Sequence, residues 1–157
     1  MKKILGITLL MLTLTVSAQK FRNSSSKISF LSDAPLEDIY AESKKSTSVF
    51  NASEKKIVVL IKTNTLVFKN PMMQEHFQED YIESDKFPKA TLTGDVLGDF
   101  DVTKDGSYDV IVKGKLKIHG VEKKREIKGK IIVKNGKVSV EAKFAIKVAD
   151  HGVKIPS

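Results

Sequence analysis

The sequence predicts an all-β protein in which antiparallel strands close into a barrel with one short helix near one end. Three observations lead to this fold class. The C-terminal half alternates apolar and charged residues with a period of two, glycines interrupt these strand patterns, and only one segment has the periodicity of an amphipathic helix. Alternating, bent, antiparallel strands with one helix are typical of barrels and strongly curled sandwiches.

The three clearest strands are residues 107–118, 125–133 and 138–148. In each, an apolar face opposes a Lys-rich face. Gly120 and Val121 supply the first turn, and Asn135 with Gly136 is a strong hairpin signal for the second. Connections this short allow only antiparallel pairing of neighbouring strands.

Gly94, Gly114 and Gly129 lie inside these strand patterns. Glycine in a strand marks strong bending or a close approach of the backbone. Two of them, Gly114 and Gly129, also take inward positions, so we expect them to leave volume inside the barrel. Small inward residues favour a cavity over a filled core, and its lining would be apolar.

The N-terminal part begins with the pattern of a secretory signal peptide over residues 1–18. Lys2 and Lys3 precede an apolar run at residues 4–16, and Ala18 ends a small-residue cleavage site. The run is too short for a transmembrane anchor, which needs about 20 residues. We therefore expect an exported protein, periplasmic or secreted, with one domain over residues 19–157.

Within this domain, residues 19–26 read as a loose arm and residues 27–31 as a short strand. Residues 36–50 are predicted as a strand with a bulge or an exposed middle, because residues 42–48 are polar. Residues 56–68 and 91–97 read as further strands.

The single helix is predicted over residues 71–81. Asn70 can cap it, and Pro71 suits its first turn. Met73, Phe77 and Tyr81 form one apolar stripe at a spacing of four residues, with Met72 beside it. A lone amphipathic helix must cover apolar surface, so we expect it to lie on an open end of the sheet.

Charge is divided along the chain, whose formal net charge is +8. Residues 113–147 hold 12 Lys or Arg against 3 Glu, while residues 71–109 hold 10 acids against 3 Lys. No aromatic side chains interleave with the lysines, so the pattern does not indicate nucleic-acid binding. It indicates a solvated outer face, with weak attraction to anionic lipid headgroups as the next interpretation.

Motifs for catalysis and for metal binding are lacking. The chain has no Cys and no G-x-S-x-G motif, and its histidines, His76, His119 and His151, do not have metal-site spacing. We therefore predict a non-enzymatic protein with no metal or cofactor.

Four segments resemble the YceI-like family of exported bacterial proteins. They are ISF at residues 28–30, MMQEHFQEDYIESDKFPKATLTG at residues 72–94, GKLKIHGVEKK at residues 114–124 and FAIKVADHGVKIP at residues 144–156. The short, Lys-rich, Gly-sparse pattern is similar to that of Bacteroidetes-type members. The resemblance implies a lipocalin-like antiparallel barrel of about eight strands, and a lipid or polyisoprenoid ligand inside it.

The resemblance gives no catalytic residues, so the candidate site consists of positions in this sequence. The predicted pocket is lined by apolar inward residues: Val110, Val112, Leu116, Ile127, Ile131, Phe144 and Ile146. The helix is predicted to act as a lid over one mouth of the barrel through four residues: Met72, Met73, Phe77 and Tyr81. The family continues past Pro156 into a last strand, so we expect a truncated sequence or an edge left open beside residues 138–148. Such an edge favours a homodimer.

Two other functions remain open at this point. The first is a ligand-free structural or stress-response module that acts through its charged surface. The second is a haem or quinone accessory protein with His76 or His119 as an axial ligand.

Overall fold

A computed structural model describes residues 19–32 and 38–154 of the chain. The predicted signal peptide and the last three residues lie outside this range. Eight strands form one antiparallel sheet that nearly closes into a barrel. They are β1 (Lys20–Ser32), β2 (Ile39–Asn51), β3 (Lys56–Lys62), β4 (Val67–Phe68), β5 (Lys89–Leu97), β6 (Gly106–Ile118), β7 (Val121–Lys134) and β8 (Lys137–Ala142).

The sheet order is β1-β2-β3-β5-β6-β7-β8, with the short β4 paired to β2. Consecutive strands are therefore neighbours almost everywhere, as the short predicted turns require. The predicted hairpin at Asn135 and Gly136 joins β7 to β8, and both residues have the positive φ that such a turn needs.

The helical segment lies between β4 and β5 and confirms the predicted helix. It consists of α1 (Pro71–His76) and a π-helical turn (Phe77–Tyr81) that continues it. The Asn70 side chain accepts hydrogen bonds from the backbone N–H groups of Met72 and Met73, and Pro71 occupies the first turn. Among the described residues, no helix is long and apolar enough to cross a bilayer.

Two predictions for the N-terminal part need correction. Residues 20–26 are not a loose arm but part of β1, because Phe21 stacks on Phe50 with ring centroids 6.1 Å apart. The polar middle of β2 is not exposed throughout, since Ser43 and Ser46 are buried. The predicted irregularity is present as register shifts between β1 and β2 on either side of Ser26.

The C-terminal prediction was wrong beyond Ala142. Strand β8 ends there, and Val148–His151 form a 3₁₀ turn that ends at Gly152 with φ of +70°. The buried His151 fixes this turn, since its Nδ1 lies 2.9 Å from the carbonyl oxygen of Val121 at the start of β7. Alternation of apolar and charged residues continues through residues 143–148 without the ladder hydrogen bonds of a strand.

The inner face of the sheet carries two separate apolar clusters. The turn-end cluster lies where the β2–β3, β5–β6 and β7–β8 connections meet, and it comprises Phe50, Ala52, Ile57, Val96, Val102, Val110, Val112, Ile127, Ile131 and Val133. The helix-end cluster comprises Ala41, Leu66 and Phe68, with Phe30, Ile39, Met73 and Phe77 packed against it. Each end of the barrel thus has a packed core of its own.

Candidate functional site: the inner face and its open seam

An open seam separates the first and last strands of the sheet. Strands β1 and β8 are the ends of the strand order, and no pairing between them occurs in the described part of the chain. The apolar side chains next to the seam still face inward, since Phe21, Val138 and Val140 pack against the turn-end cluster. They remain only half-buried, as expected where a covering strand is missing. The seam therefore gives solvent access to apolar inner surface.

Five of the predicted pocket residues lie together on the inner faces of β6 and β7. Each is at most 4 % exposed: Val110, Val112, Leu116, Ile127 and Ile131. Val112 faces Ile127 in the β6–β7 register, and all but Leu116 belong to the turn-end cluster. In this structure these side chains pack against each other and against their neighbours.

The other two predicted pocket residues do not join this group. Phe144 is 40 % exposed, and Ile146 is half-buried. Both lie in residues 143–147, which follow β8 without continuing it.

The predicted lid residues divide into packed and exposed members. Phe77 lies 4.9 Å from Phe68 and 5.3 Å from Phe30, measured between ring centroids, and Met73 packs against the same cluster. Tyr81 is half-buried, whereas Met72 is 65 % exposed. The helix thus covers the apolar end of the sheet through Met73 and Phe77.

A polar contact fastens the far end of the helical segment to the β6–β7 hairpin. His119 Nε2 lies 2.7 Å from Glu83 Oε2, and the His119 ring packs 4.3 Å from Phe87. Glu83 and His119 have φ values of +45° and +50°, which non-glycine residues rarely adopt. Hydrogen bonds from Lys86 and from His119 hold the pKa of the Glu83 carboxyl below its ordinary value.

The inward glycines do not leave the volume that we expected from the sequence. A Cβ atom on Gly114 would overlap the carbonyl oxygen of Thr93, and one on Gly94 would lie 2.7 Å from the carbonyl oxygen of Lys113. A Cβ on Gly129 would lie 2.7 Å from the carbonyl oxygen of Glu141. These glycines allow neighbouring strands to approach closely, so their missing side chains do not enlarge the interior.

Sequence reasoning missed several polar groups on or beside the inner face. Ser46 is fully buried, and its hydroxyl has no partner among the described residues. Arg125 has the same strand parity as Ile127, which places it inward, and it lies opposite Gly114 in the β6–β7 register. The parity of Arg125 with Ile127 is the signal in the sequence that places it inward.

Two surface depressions lie away from the predicted pocket. One, of about 390 Å³, is lined by Lys113, Gly114, Lys115, Lys124, Arg125 and Glu126. The other, of about 380 Å³, is lined by Asp109, Lys128, Gly129, Lys130, Glu141, Ala142 and Lys143. Both are open, and charged side chains make up most of their walls. In residues 19–32 and 38–154, no group of three or more acidic, His or Cys side chains could hold a metal ion.

Several solved structures share this fold. A polyisoprenoid binding domain from Saccharophagus degradans, implicated in plant cell wall breakdown, superposes with a TM-score of 0.72 at 13 % identity over 88 % of this chain and 83 % of that one. BcnA of Burkholderia cenocepacia gives a TM-score of 0.54 at 11 % identity over 86 % of this chain and 74 % of its own. The YCEI protein of Campylobacter jejuni gives 0.52 at 20 % identity over 96 % of this chain and 80 % of its own.

At these identities the similarity shows a shared fold and no more. No curated protein matches the chain. The model of the YceI-like domain, however, matches residues 13–157, which is nearly the whole sequence. The chain therefore belongs to the YceI-like family.

Proposed function

We propose that this protein binds a long apolar lipid, of the polyisoprenoid type, along the inner face of its barrel. The observation that carries the proposal is the half-buried apolar surface beside the seam, formed by inward residues that lack a covering strand. The S. degradans domain of the same fold is a polyisoprenoid binding domain, which supports this class of ligand.

The energetics favour a long hydrocarbon chain over a compact ligand. Each CH₂ group removed from water contributes about 0.8 kcal/mol, and association costs roughly 4–15 kcal/mol. A chain of several isoprene units can therefore exceed the cost through burial alone. The seam would let such a ligand enter sideways, with Phe144 and Ile146 at the rim. The five buried β6 and β7 residues would form the floor once their packed side chains move apart to admit it. The helix would close the end of the barrel through Met73 and Phe77.

We also propose that the protein is exported, on the basis of the signal-peptide pattern in residues 1–18. A ligand of this kind is found in membranes, and the Lys-rich strand faces suit weak contact with anionic headgroups. The free edges of β1 and β8 would allow two copies to pair as a homodimer.

The test is mass spectrometry on the protein purified from its natural host without detergent. Native spectra give the ligand, its stoichiometry and the number of copies, and the intact mass shows whether the chain starts at Gln19. We expect one long-chain lipid for each protein molecule.

Matched variants of β8 locate the ligand. Val140→Asp places a charge on the half-buried inner face, and Ser139→Asp places the same charge on the exposed outer face of the same strand. We expect Val140→Asp to lose the lipid and Ser139→Asp to keep it. A folded Val140→Asp protein that retains the lipid would contradict binding at the seam.

The rival function is the ligand-free module acting through its charged surface. One observation favours it: five of the predicted pocket residues already pack in a core. A well-folded protein whose mass spectra show no bound lipid, and which associates in a salt-sensitive way, would support this rival function.

A further inference from the structure

Arg125 is a charged residue whose strand parity places it on the inner face of β7. It lies on β7 two residues before the buried Ile127, and its side chain is 25 % exposed. The Nε and Nη2 atoms are buried, and neither makes a hydrogen bond to any residue in the described part of the chain. A guanidinium group has N–H donors and no acceptor, so each of these buried atoms needs an acceptor as its partner.

The surroundings of Arg125 leave space for its side chain to point inward, but they do not satisfy its hydrogen-bond donors. Gly114 and Gly94 follow it in the same row of the sheet, so no side chain stands beside it on β6 or β5. The nearest carboxylate is that of Asp150, whose Oδ2 lies 3.5 Å from Nη2 and whose side chain is 46 % exposed. This ion pair is longer than a charge-assisted hydrogen bond, which is usually about 2.7–2.9 Å.

A second buried polar group without a hydrogen-bond partner lies on the 3₁₀ turn that carries Asp150. His151 follows Asp150 and is fully buried. Its Nδ1 must donate to the Val121 carbonyl oxygen, because a carbonyl only accepts, so in the neutral ring Nε2 is a free acceptor. Nε2 has no partner among the described residues. Buried polar atoms without partners are few in native proteins. The N–H donors of Arg125 suit an anion, whereas an acceptor nitrogen at His151 Nε2 suits a water or another donor, so His151 is not part of the anion site.

We infer that Arg125 binds the anionic head of the lipid ligand, a phosphate or carboxylate group, while the apolar tail lies along the inner face. This inference rests on the proposed function and narrows its ligand class from any long apolar lipid to one with a charged end. A guanidinium group offers parallel N–H donors that match two oxygens of a phosphate or carboxylate. Asp150, which is half-exposed, turns to solvent when the head occupies its place.

The charges around the site are compatible with this assignment. Glu126 and Lys124 flank Arg125 in sequence, and both side chains point to the outer face of β7, where Glu126 pairs with Lys113 at 2.9 Å. Among the described residues, Asp150 has the only carboxylate within ion-pair distance of the Arg125 guanidinium, so it alone opposes an anion there.

The test compares Arg125→Met with Lys124→Met, which removes the neighbouring outward charge. Two probes of equal chain length are used, a polyprenyl monophosphate and the uncharged polyprenol, with inorganic phosphate as a competitor. We expect Arg125→Met to weaken binding of the monophosphate about tenfold or more, with little change for the polyprenol. Lys124→Met should leave both affinities near those of the wild type.

Two further measurements separate a binding role from a structural one. Without ligand, Arg125→Met should be at least as resistant to denaturant as the wild type, because an apolar side chain replaces a buried charge that lacks hydrogen bonds. Arg125→Lys should bind the monophosphate with intermediate affinity, since it keeps the charge and loses the parallel N–H donors of the guanidinium group. A large loss of stability in Arg125→Met with equal losses for both probes would overturn the inference.

The failures of the two proposals differ. Wild-type protein that binds neither probe contradicts the lipid-binding function itself. Wild-type protein that binds both probes equally, with no effect of Arg125→Met, contradicts only the anionic head. Phosphate that binds through Arg125 while the monophosphate does not would show an anion site unconnected with lipid, and would also overturn the inference.

Discussion

Gly114 illustrates how a single residue sets the path of the sheet. Its backbone lies so close to β5 that a Cβ atom would overlap the Thr93 carbonyl oxygen. We therefore predict that Gly114→Ala lowers the free energy of unfolding by about 1–3 kcal/mol, the usual cost of inserting an atom into a packed region.

The control for this prediction is Gly106→Ala at the start of β6. A Cβ there meets only the Tyr108 ring, at the ordinary contact distance of 3.4 Å. This change should be neutral, or stabilise the protein by about 0.4–1 kcal/mol through the unfolded chain. Urea denaturation of both variants is the measurement, and equal stabilities would contradict the close approach at Gly114.

The structural role of individual residues was the property hardest to predict from the sequence. The glycines were correctly placed inside strands, but their role as sites of close approach depends on which strand lies beside them. Arg125 has the same strand parity as the inward Ile127, but a search for alternating apolar residues passes over a charged one. Ser46 sits in a polar run that reads as exposed, and only the structure, in which it pairs with Ser26 of β1, shows that it is buried.

At the scale of elements, different interactions hold the middle of the helical segment and the residues that follow it. At the first residue of the π-helical turn, Phe77 packs on Phe30 and Phe68. We predict that Phe77→Ala lowers the free energy of unfolding by about 1–2 kcal/mol, less than the roughly 3–5 kcal/mol of a fully buried Phe, because this ring is half-buried.

Met72→Ala is the matched control for Phe77→Ala, since Met72 lies in the same helix and is 65 % exposed. Its effect should stay within about 0.5 kcal/mol. If the helix also acts as a lid, Phe77→Ala should speed release of bound lipid, which stopped-flow transfer to vesicles measures. Equal effects of the two variants would contradict the packing of the helix on the sheet.

The interaction that holds the residues after the helical segment depends on pH through Glu83. Lys86 and His119 lower the pKa of this carboxyl, so its ionised form is the one that the fold stabilises. Such a group adds stability above the pKa of the unfolded chain, and this contribution disappears as the pH falls through the lower pKa of the folded state.

We therefore predict that Glu83→Gln reduces stability at neutral pH and makes it depend less on pH on the acid side. Thermal melts of wild type and variant between neutral and strongly acidic pH are the measurement. The difference between the two curves should shrink as the pH falls. Parallel curves would show that the contact of Glu83 with His119 and Lys86 contributes nothing through charge.

At the scale of the whole molecule, the sequence was sufficient for the architecture. Period-two alternation, the Asn135–Gly136 turn and the single amphipathic helix predicted a barrel with one helix, and the structure and the family match confirm it. The extent of individual strands was less predictable. Strand β1 is longer than its apolar pattern because pairing with β2 extends through polar residues.

The candidate site was predictable only in part, for a physical reason. Alternation tells which side chains face inward, and Val110, Val112, Leu116, Ile127 and Ile131 do so. It does not tell whether inward side chains touch each other or a ligand, because that depends on the curvature and closure of the whole sheet. The alternation also continues through Phe144 and Ile146, although the chain no longer makes strand hydrogen bonds there.

The sequential order of the strands has a consequence for the way the chain folds. Since β1 and β8 are not paired, no sheet contact in the described chain requires the two ends of the domain to meet. The entropic cost of closing a loop grows with its length, so a final pairing between β1 and β8 would have been the most expensive one. Each pairing instead joins strands close in sequence, and such local topologies fold faster than those that depend on distant contacts. The gap between β1 and β8 that gives access to the interior therefore also removes the strand pairing that would be slowest to form.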